Sequence, residues 1–139
     1  MSDDAPAPRF FLDRGLGARL VPAGLRTAGW QVTTMDERYG AEVSQHVADT
    51  DWIRDATALG ECLLTKDTAI ARRPAEAQAV VMNDARVFAL SDARATGQDM
   101  LRCFLAHQVA IHRWAVRVPA PFVVAVSRQR LRRAGLAYP

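Results

Sequence analysis

Short apolar runs recur along this chain, and two of them close on an acidic group. Phe10-Phe11-Leu12 ends on Asp13, and Cys62-Leu63-Leu64 runs into Thr65-Lys66-Asp67. Arg86-Val87-Phe88-Ala89-Leu90 and Phe122-Val123-Val124-Ala125-Val126 have the same character, and Trp30-Gln31-Val32-Thr33-Thr34 is rich in β-formers. Short apolar runs bounded by turn signals predict strands covered on both faces of a parallel sheet. Between them the apolar positions take helical spacing. A helix is expected from about Ala18 to Ala28, with Leu20, Val21 and Leu25 inward, although Pro22 and Gly24 argue against its regularity. Asp49-Thr50-Asp51 opens another, with Trp52, Ile53, Ala56 and Leu59 on one face. Gly29 and Gly60 follow these helices as stop signals. Pro74 suits a first helical position and starts a helix through about Met82. Thr96-Gly97-Gln98-Asp99 resembles a capping box ahead of one long helix, with Leu101, Phe104, Leu105 and Val109 buried. Residues 36–46 are polar and read as a loop with a short helix. Strands alternating with helices predict an α/β fold with a mostly parallel central sheet and helices on both faces.

The length of 139 residues suits one core. Residues 1–8 are polar and proline-rich and read as a disordered lead-in, leaving 9–139 as a single domain. No run approaches the roughly 20 apolar residues of a membrane span, so no membrane partner is expected. The start, Met1-Ser2-Asp3-Asp4, is acidic where a secretion signal is basic, and a cytoplasmic protein is expected. Cys62 and Cys103 form no CxxC and are expected as buried free thiols. The net charge of +3 permits a nucleic-acid partner. Its distribution says more. Lys66, Arg72 and Arg73 follow the central apolar run, Arg128, Arg130, Arg132 and Arg133 crowd the C-terminus, and acids gather between Asp36 and Asp55.

Three acids take comparable places. Asp13 and Asp67 follow strands, and Asp51 stands in the first turn of a helix, where an acid suits the positive end of the dipole. Ligands of open α/β sheets sit outside the carboxyl ends of the strands. Each acid alone reads as a cap. Together they read equally as a shared site, where repulsion requires either a proton or a divalent cation. Oxygen ligands alone suit Mg2+ or Mn2+, and such a cation gives metal-assisted hydrolysis.

Asp51-Trp52-Ile53-Arg54-Asp55-Ala56, then Gly60, then Leu63-Leu64-Thr65-Lys66-Asp67 resembles the C-terminal half of a PIN-domain nuclease. Phe11-Leu12-Asp13 resembles the first strand and first acid of that family, and the order of elements follows it from about Phe10 to Val126. The chain looks most like the PIN-like subgroup among the VapC-type toxins of bacterial toxin–antitoxin pairs. The resemblance implies a three-layer PIN-like fold, Mg2+- or Mn2+-dependent endoribonuclease activity on an RNA substrate, a homodimer and a cognate antitoxin. It assigns the metal to Asp13, Asp51 and Asp67, with Thr65 as the hydroxyl beside the last acid; Asp49 is an alternative beside Asp51, with an N-cap role the stronger reading for it. A further acid between the first and second positions has two candidates, Glu37 and Glu42. Arg14 and Lys66, each beside a site acid, and Arg72 are the expected RNA contacts. The unplaced fourth acid keeps a second reading open, a catalytically silent PIN-like module that binds RNA or protein.

Other chemistries fail on the residues. Gly15-Leu16-Gly17 is followed by Leu20 where a dinucleotide fingerprint needs glycine. No Walker A motif occurs, and Ser127 sits in no GxSxG elbow. His107 and His112 are five residues apart, a spacing that does not pair on a helix for zinc. Gly15 two positions after Asp13 excludes an Asp-x-Asp phosphatase.

Overall fold

The apolar runs form strands, and six of them pair in the order β2-β1-β3-β4-β5-β6. They are β1 (Arg9–Leu12), β2 (Gln31–Thr34), β3 (Glu61–Thr65), β4 (Arg86–Leu90), β5 (Phe122–Val126) and β6 (Leu131–Ala134). The structure is a computed structural model that describes residues 7–92 and 94–138. The lead-in expected over residues 1–8 lies outside these as far as residue 6. Strands β1 to β5 are parallel and β6 is antiparallel to β5.

Alternating side chains feed two cores. Phe10, Leu12, Leu64, Phe88 and Val124 face one, covered by α1 (Leu20–Thr27), α6 (Gly97–Ala106) and α7 (Gln108–Arg117). Phe11, Leu63, Val87 and Val123 face the other, against α4 (Asp49–Ala58) and α5 (Pro74–Asn83). Two covered faces explain why the strands read as continuous apolar runs. This is the three-layer α/β arrangement expected. Trp30 and Trp52 are buried and Trp114 packs at the core's edge. Cys62 is a buried free thiol, its pKa pushed up to about 11 by burial, whereas Cys103 is half-exposed.

Three local expectations change. Residues 36–46 contain two short helices, α2 (Met35–Tyr39) and α3 (Ala41–Ser44), the first closed by a reciprocal capping box of Thr34 and Glu37. The long helix after Thr96 breaks at His107, whose ring bonds the Ser127 carbonyl at 2.8 Å. The helix restarts with Ile111 and Ala115 inward, so Val109, expected in the core, is 69% exposed. The basic tail is an edge strand: Ser127 bonds Arg130 through backbone and hydroxyl, turning β6 back along β5.

Helix α1 meets α6 closely at Gly24. A Cβ there would lie 2.2 Å from Leu101 Cδ2. Gly24→Ala gains about 1 kcal/mol of helix propensity, against roughly 1–3 kcal/mol for overpacking. A net loss of about 1 kcal/mol is expected in urea denaturation. Equal or greater stability would mean that Leu101 swings aside freely.

Candidate functional site

Strand β2 lies on one side of β1 and β3 on the other, so the chain reverses direction of growth between β1 and β3. This switch point is where open α/β sheets leave a crevice at the carboxyl ends of their strands. Asp13 directly follows β1, and its N–H donates to the Leu64 carbonyl of β3 at 2.9 Å. Thr65, the last residue of β3 and fully buried, donates its hydroxyl to Asp13 Oδ2 at 2.8 Å. Asp13 itself is only 8% exposed. Its other oxygen, Oδ1, is buried and has no hydrogen-bond partner. A buried acceptor left unpaired costs about 1–3 kcal/mol, more when charged. Burial accordingly pushes the Asp13 carboxyl above its ordinary range. The Asp49 charge adds in the same direction, while the Thr65 hydrogen bond and the Arg14 charge oppose it.

The acid from α4 that acts on Asp13 is therefore Asp49. Its Oδ1 accepts the Trp52 indole N–H at 2.9 Å, which fixes the carboxylate at the helix start. Asp51, the sequence candidate, takes another direction. At 100° per residue the two acids point about 200° apart around the helix. Asp51 is half-exposed and pairs with Arg54 at 3.3 Å. The i, i+3 spacing of Asp49 and Trp52 was the available signal, since a buried indole N–H seeks an acceptor.

Asp67 does two jobs. Oδ1 accepts from the Ala69 N–H at 3.0 Å, capping the turn that follows β3, and Oδ2 takes an Arg73 N–H at 2.5 Å. The same guanidinium reaches Glu76 at 2.9 Å and Asp49 at 3.9 Å. Arg73 thus links the α4 acid to the β3 acid. Thr65 Oγ1 accepts the Asp67 N–H at 3.1 Å, so one hydroxyl joins Asp13 to the Asp67 backbone.

The fourth-acid candidates lie elsewhere. Glu37 closes the α2 capping box and pairs with Arg26 at 2.7 Å; that pairing and its hydrogen bonds hold its carboxyl below the usual range. Glu42 is exposed on α3. Asp36, which sequence reasoning passed over, lines a cavity with Arg14, Thr34 and Ser44, and accepts the Ser44 hydroxyl at 2.6 Å. No local pattern marks it, because Ser44 comes eight residues later.

Of the basic candidates, Arg14 donates to the carbonyls of Ser44 and Val47 at 2.9 and 2.5 Å, which pins the segment leading into α4 beside the site. The Lys66 stem lies over Gly15, where a Cβ would stand 3.5 Å from Lys66 Cγ and 3.8 Å from Asp13 Oδ2. Arg72 is exposed beyond Asp67.

Among the described residues no three His, Cys, Asp or Glu side chains are grouped as a ready metal cage. The donor chemistry still fits a hard cation. Mg2+ keeps most of its waters and takes one or two protein carboxylates plus substrate phosphate. Asp13, with one unpartnered oxygen, and Asp49, whose charge acts on it, are the residues that could hold one.

A family model described as "PIN like domain" matches residues 8–92, the stretch from β1 to the end of β4. A Mycobacterium tuberculosis (strain ATCC 25618 / H37Rv) protein named "Putative ribonuclease VapC45" is 36% identical over 129 residues, covering 93% of this chain and 93% of its own length. No solved structure matches.

Proposed function

The chain belongs to the family of PIN-like domains, and from that premise we propose that it is a divalent-metal-dependent endoribonuclease, the toxin of a toxin–antitoxin pair. The observation that carries this reading is the buried Asp13 carboxylate with its unpartnered Oδ1 at the β1–β3 switch point, on which the Asp49 charge acts. The relative named as a ribonuclease supports RNA as the substrate.

In this reading Asp13 and Asp49 hold the cation, and Asp67 completes the acidic wall through Arg73. Bound Mg2+ or Mn2+ supplies Lewis-acid polarisation of the phosphodiester and a water of lowered pKa. Thr65 holds Asp13 Oδ2 so that Oδ1 is left for the cation. Lys66, beside Asp13, and Arg72, beyond Asp67, position the RNA backbone by charge, so affinity falls with salt. Arg14 acts on the site through the backbone it pins. One sheet running from Arg9 to Ala134 supports reading 9–139 as one domain. A cognate antitoxin, a homodimer and a cytoplasmic location belong to the same proposal. Among the described residues no helix is long and apolar enough to cross a membrane.

A second reading is a silent PIN-like module that binds RNA or protein; the absence of a three-acid group among the described residues favours it. The two separate in one experiment. Purified chain is incubated with single-stranded RNA in EDTA, then with excess Mg2+ or Mn2+, while Mn2+ binding is followed by calorimetry. Cleavage that appears only with the cation supports the enzyme. Absence of both cleavage and Mn2+ heat supports the silent module, and cleavage undiminished in EDTA removes the metal from the mechanism.

A further inference from the structure

A second charged feature lies next to the acidic site and opposes it in sign. Thr68, one residue past Asp67, forms one end of a groove of about 380 Å³ that crosses the carboxyl ends of β4 and β5. Among the described residues its polar lining is Thr68, Arg72, Ser91, Arg132 and Arg133, with no carboxylate. Arg72 and Arg132 are both exposed, and among the described residues neither makes an ion pair or a side-chain hydrogen bond. Most other arginines near the site are engaged. Arg73 is shared among three acids, Arg14 is bound to carbonyls, and Arg133 lies over the Trp114 ring at 5.2 Å.

Arg132 is not on a loose tail. It belongs to β6 and stands opposite Ala125 of β5. The small Ala125 side chain leaves the floor of the groove open, and it is the one residue of β5 that is not buried. Two unengaged cations and two hydroxyls lining one groove, with no acid among the described residues to neutralise them, match an anion with several acceptor oxygens. Thr68 and Arg72 belong to the turn that Asp67 caps, which ties the groove to the acidic site.

Resting on the ribonuclease reading above, we propose that the Arg72–Arg132 groove is a phosphate subsite that holds the sugar–phosphate backbone of RNA on one side of the scissile bond. The edge strand β6 then has a use beyond covering β5: it carries the cation that extends the substrate track. The subsite reads charge and not bases, so it contributes length preference and affinity without sequence preference.

Binding of a labelled single-stranded RNA to the full chain in EDTA, followed by anisotropy over a salt series, tests this without cleavage. For single strands each phosphate contact adds about 0.7 to the slope of log affinity against log salt. The pair Arg72→Ala/Arg132→Ala is expected to lower that slope by about 1.4 and weaken binding on the order of tenfold at low salt. Arg72→Lys/Arg132→Lys is expected to keep most of the slope, since a phosphate accepts a point charge. Arg113→Ala/Arg117→Ala, the same charge change on α7 across the sheet, is the control. A slope unchanged in the first pair, or lowered equally in the control, overturns the proposal. So does unchanged RNA binding with loss of an acidic polyglutamate peptide, which would assign the groove to a protein partner. Wild-type chain that binds RNA in this way but never cleaves it rejects the nuclease reading and leaves the subsite standing. Wild-type chain that binds no RNA overturns the subsite.

Discussion

Asp13→Asn is expected to reduce RNA hydrolysis about a thousandfold and, without divalent cations, to raise the melting temperature at neutral pH. The activity loss follows from removing the charge on the carboxylate that faces the cation: several kcal/mol of metal-supplied stabilisation corresponds to about three decades in rate. The stability gain comes from the same group. Asp13 Oδ1 is buried and unpaired, and burial raises the folded-state pKa above the ordinary 3.8. A raised pKa means that the folded chain binds the proton more tightly than the unfolded one. The stability Asp13 contributes is therefore complete below about pH 4 and is lost as pH rises through the folded value. Asparagine keeps the shape and accepts the Thr65 hydroxyl, yet never ionises. The amide that takes the place of Oδ1 is still without a partner, so the gain comes only from the missing buried charge and is on the order of 1 kcal/mol, or roughly 4 °C for a domain of this size. Mg2+ should raise the wild-type melting temperature at pH 7 and leave the variant unmoved. Differential scanning fluorimetry of both proteins between pH 4 and 8, with and without Mg2+, reads each limb. Superimposable pH profiles would mean that Asp13 carries no uncompensated charge. Other carboxyls, such as Glu37 and Asp55, sit below their ordinary range and lose stability in the opposite direction, as pH falls. The informative quantity is therefore the difference between the two profiles.

The layers of this fold were legible because burial on both faces leaves strands with no polar alternation, and Phe10 to Leu12, Cys62 to Leu64 and Phe122 to Val126 show none. Asp13 and Thr65 were legible because strand ends at a switch point are where polar groups emerge. Side-chain direction within a helix turn was less so. Asp49, Asp51 and Asp55 all lie in ten residues, and their partners separate them: Trp52 for Asp49, Arg54 for Asp51 and Tyr39 for Asp55. Partners separated in sequence were out of reach: Asp36 with Ser44, Arg14 with Val47, Arg73 with Asp67. The tail reads as basic because Arg130, Arg132 and Arg133 dominate its composition, and β6 forms all the same because edge-strand pairing is made by backbone. The break at His107 depends on a carbonyl twenty residues away.

The choice between Asp49 and Asp51 carries the second large effect. Asp49→Asn is expected to lower cleavage by about a hundredfold or more, in line with roughly 3 kcal/mol of lost cation stabilisation, and to weaken Mn2+ binding in calorimetry. The substitution is conservative by design: the amide oxygen still accepts the Trp52 indole N–H, so the start of α4 keeps its anchor. Arg73 loses a 3.9 Å neighbour and keeps Asp67 and Glu76, so the wall of the site stays in place. Asp51→Asn removes only an exposed pairing with Arg54, an interaction of the kind that contributes little. Its cleavage and Mn2+ affinity should stay within about twofold of wild type. Both variants remove one negative charge two residues apart at the same helix start, so a general field effect would lower both alike. A hundredfold gap between them requires a directed contact, which the proposed site gives to Asp49. The reverse ranking would require α4 to rotate by about half a turn when the cation binds, which would pull the fully buried Trp52 ring away from Phe11 and out of the core.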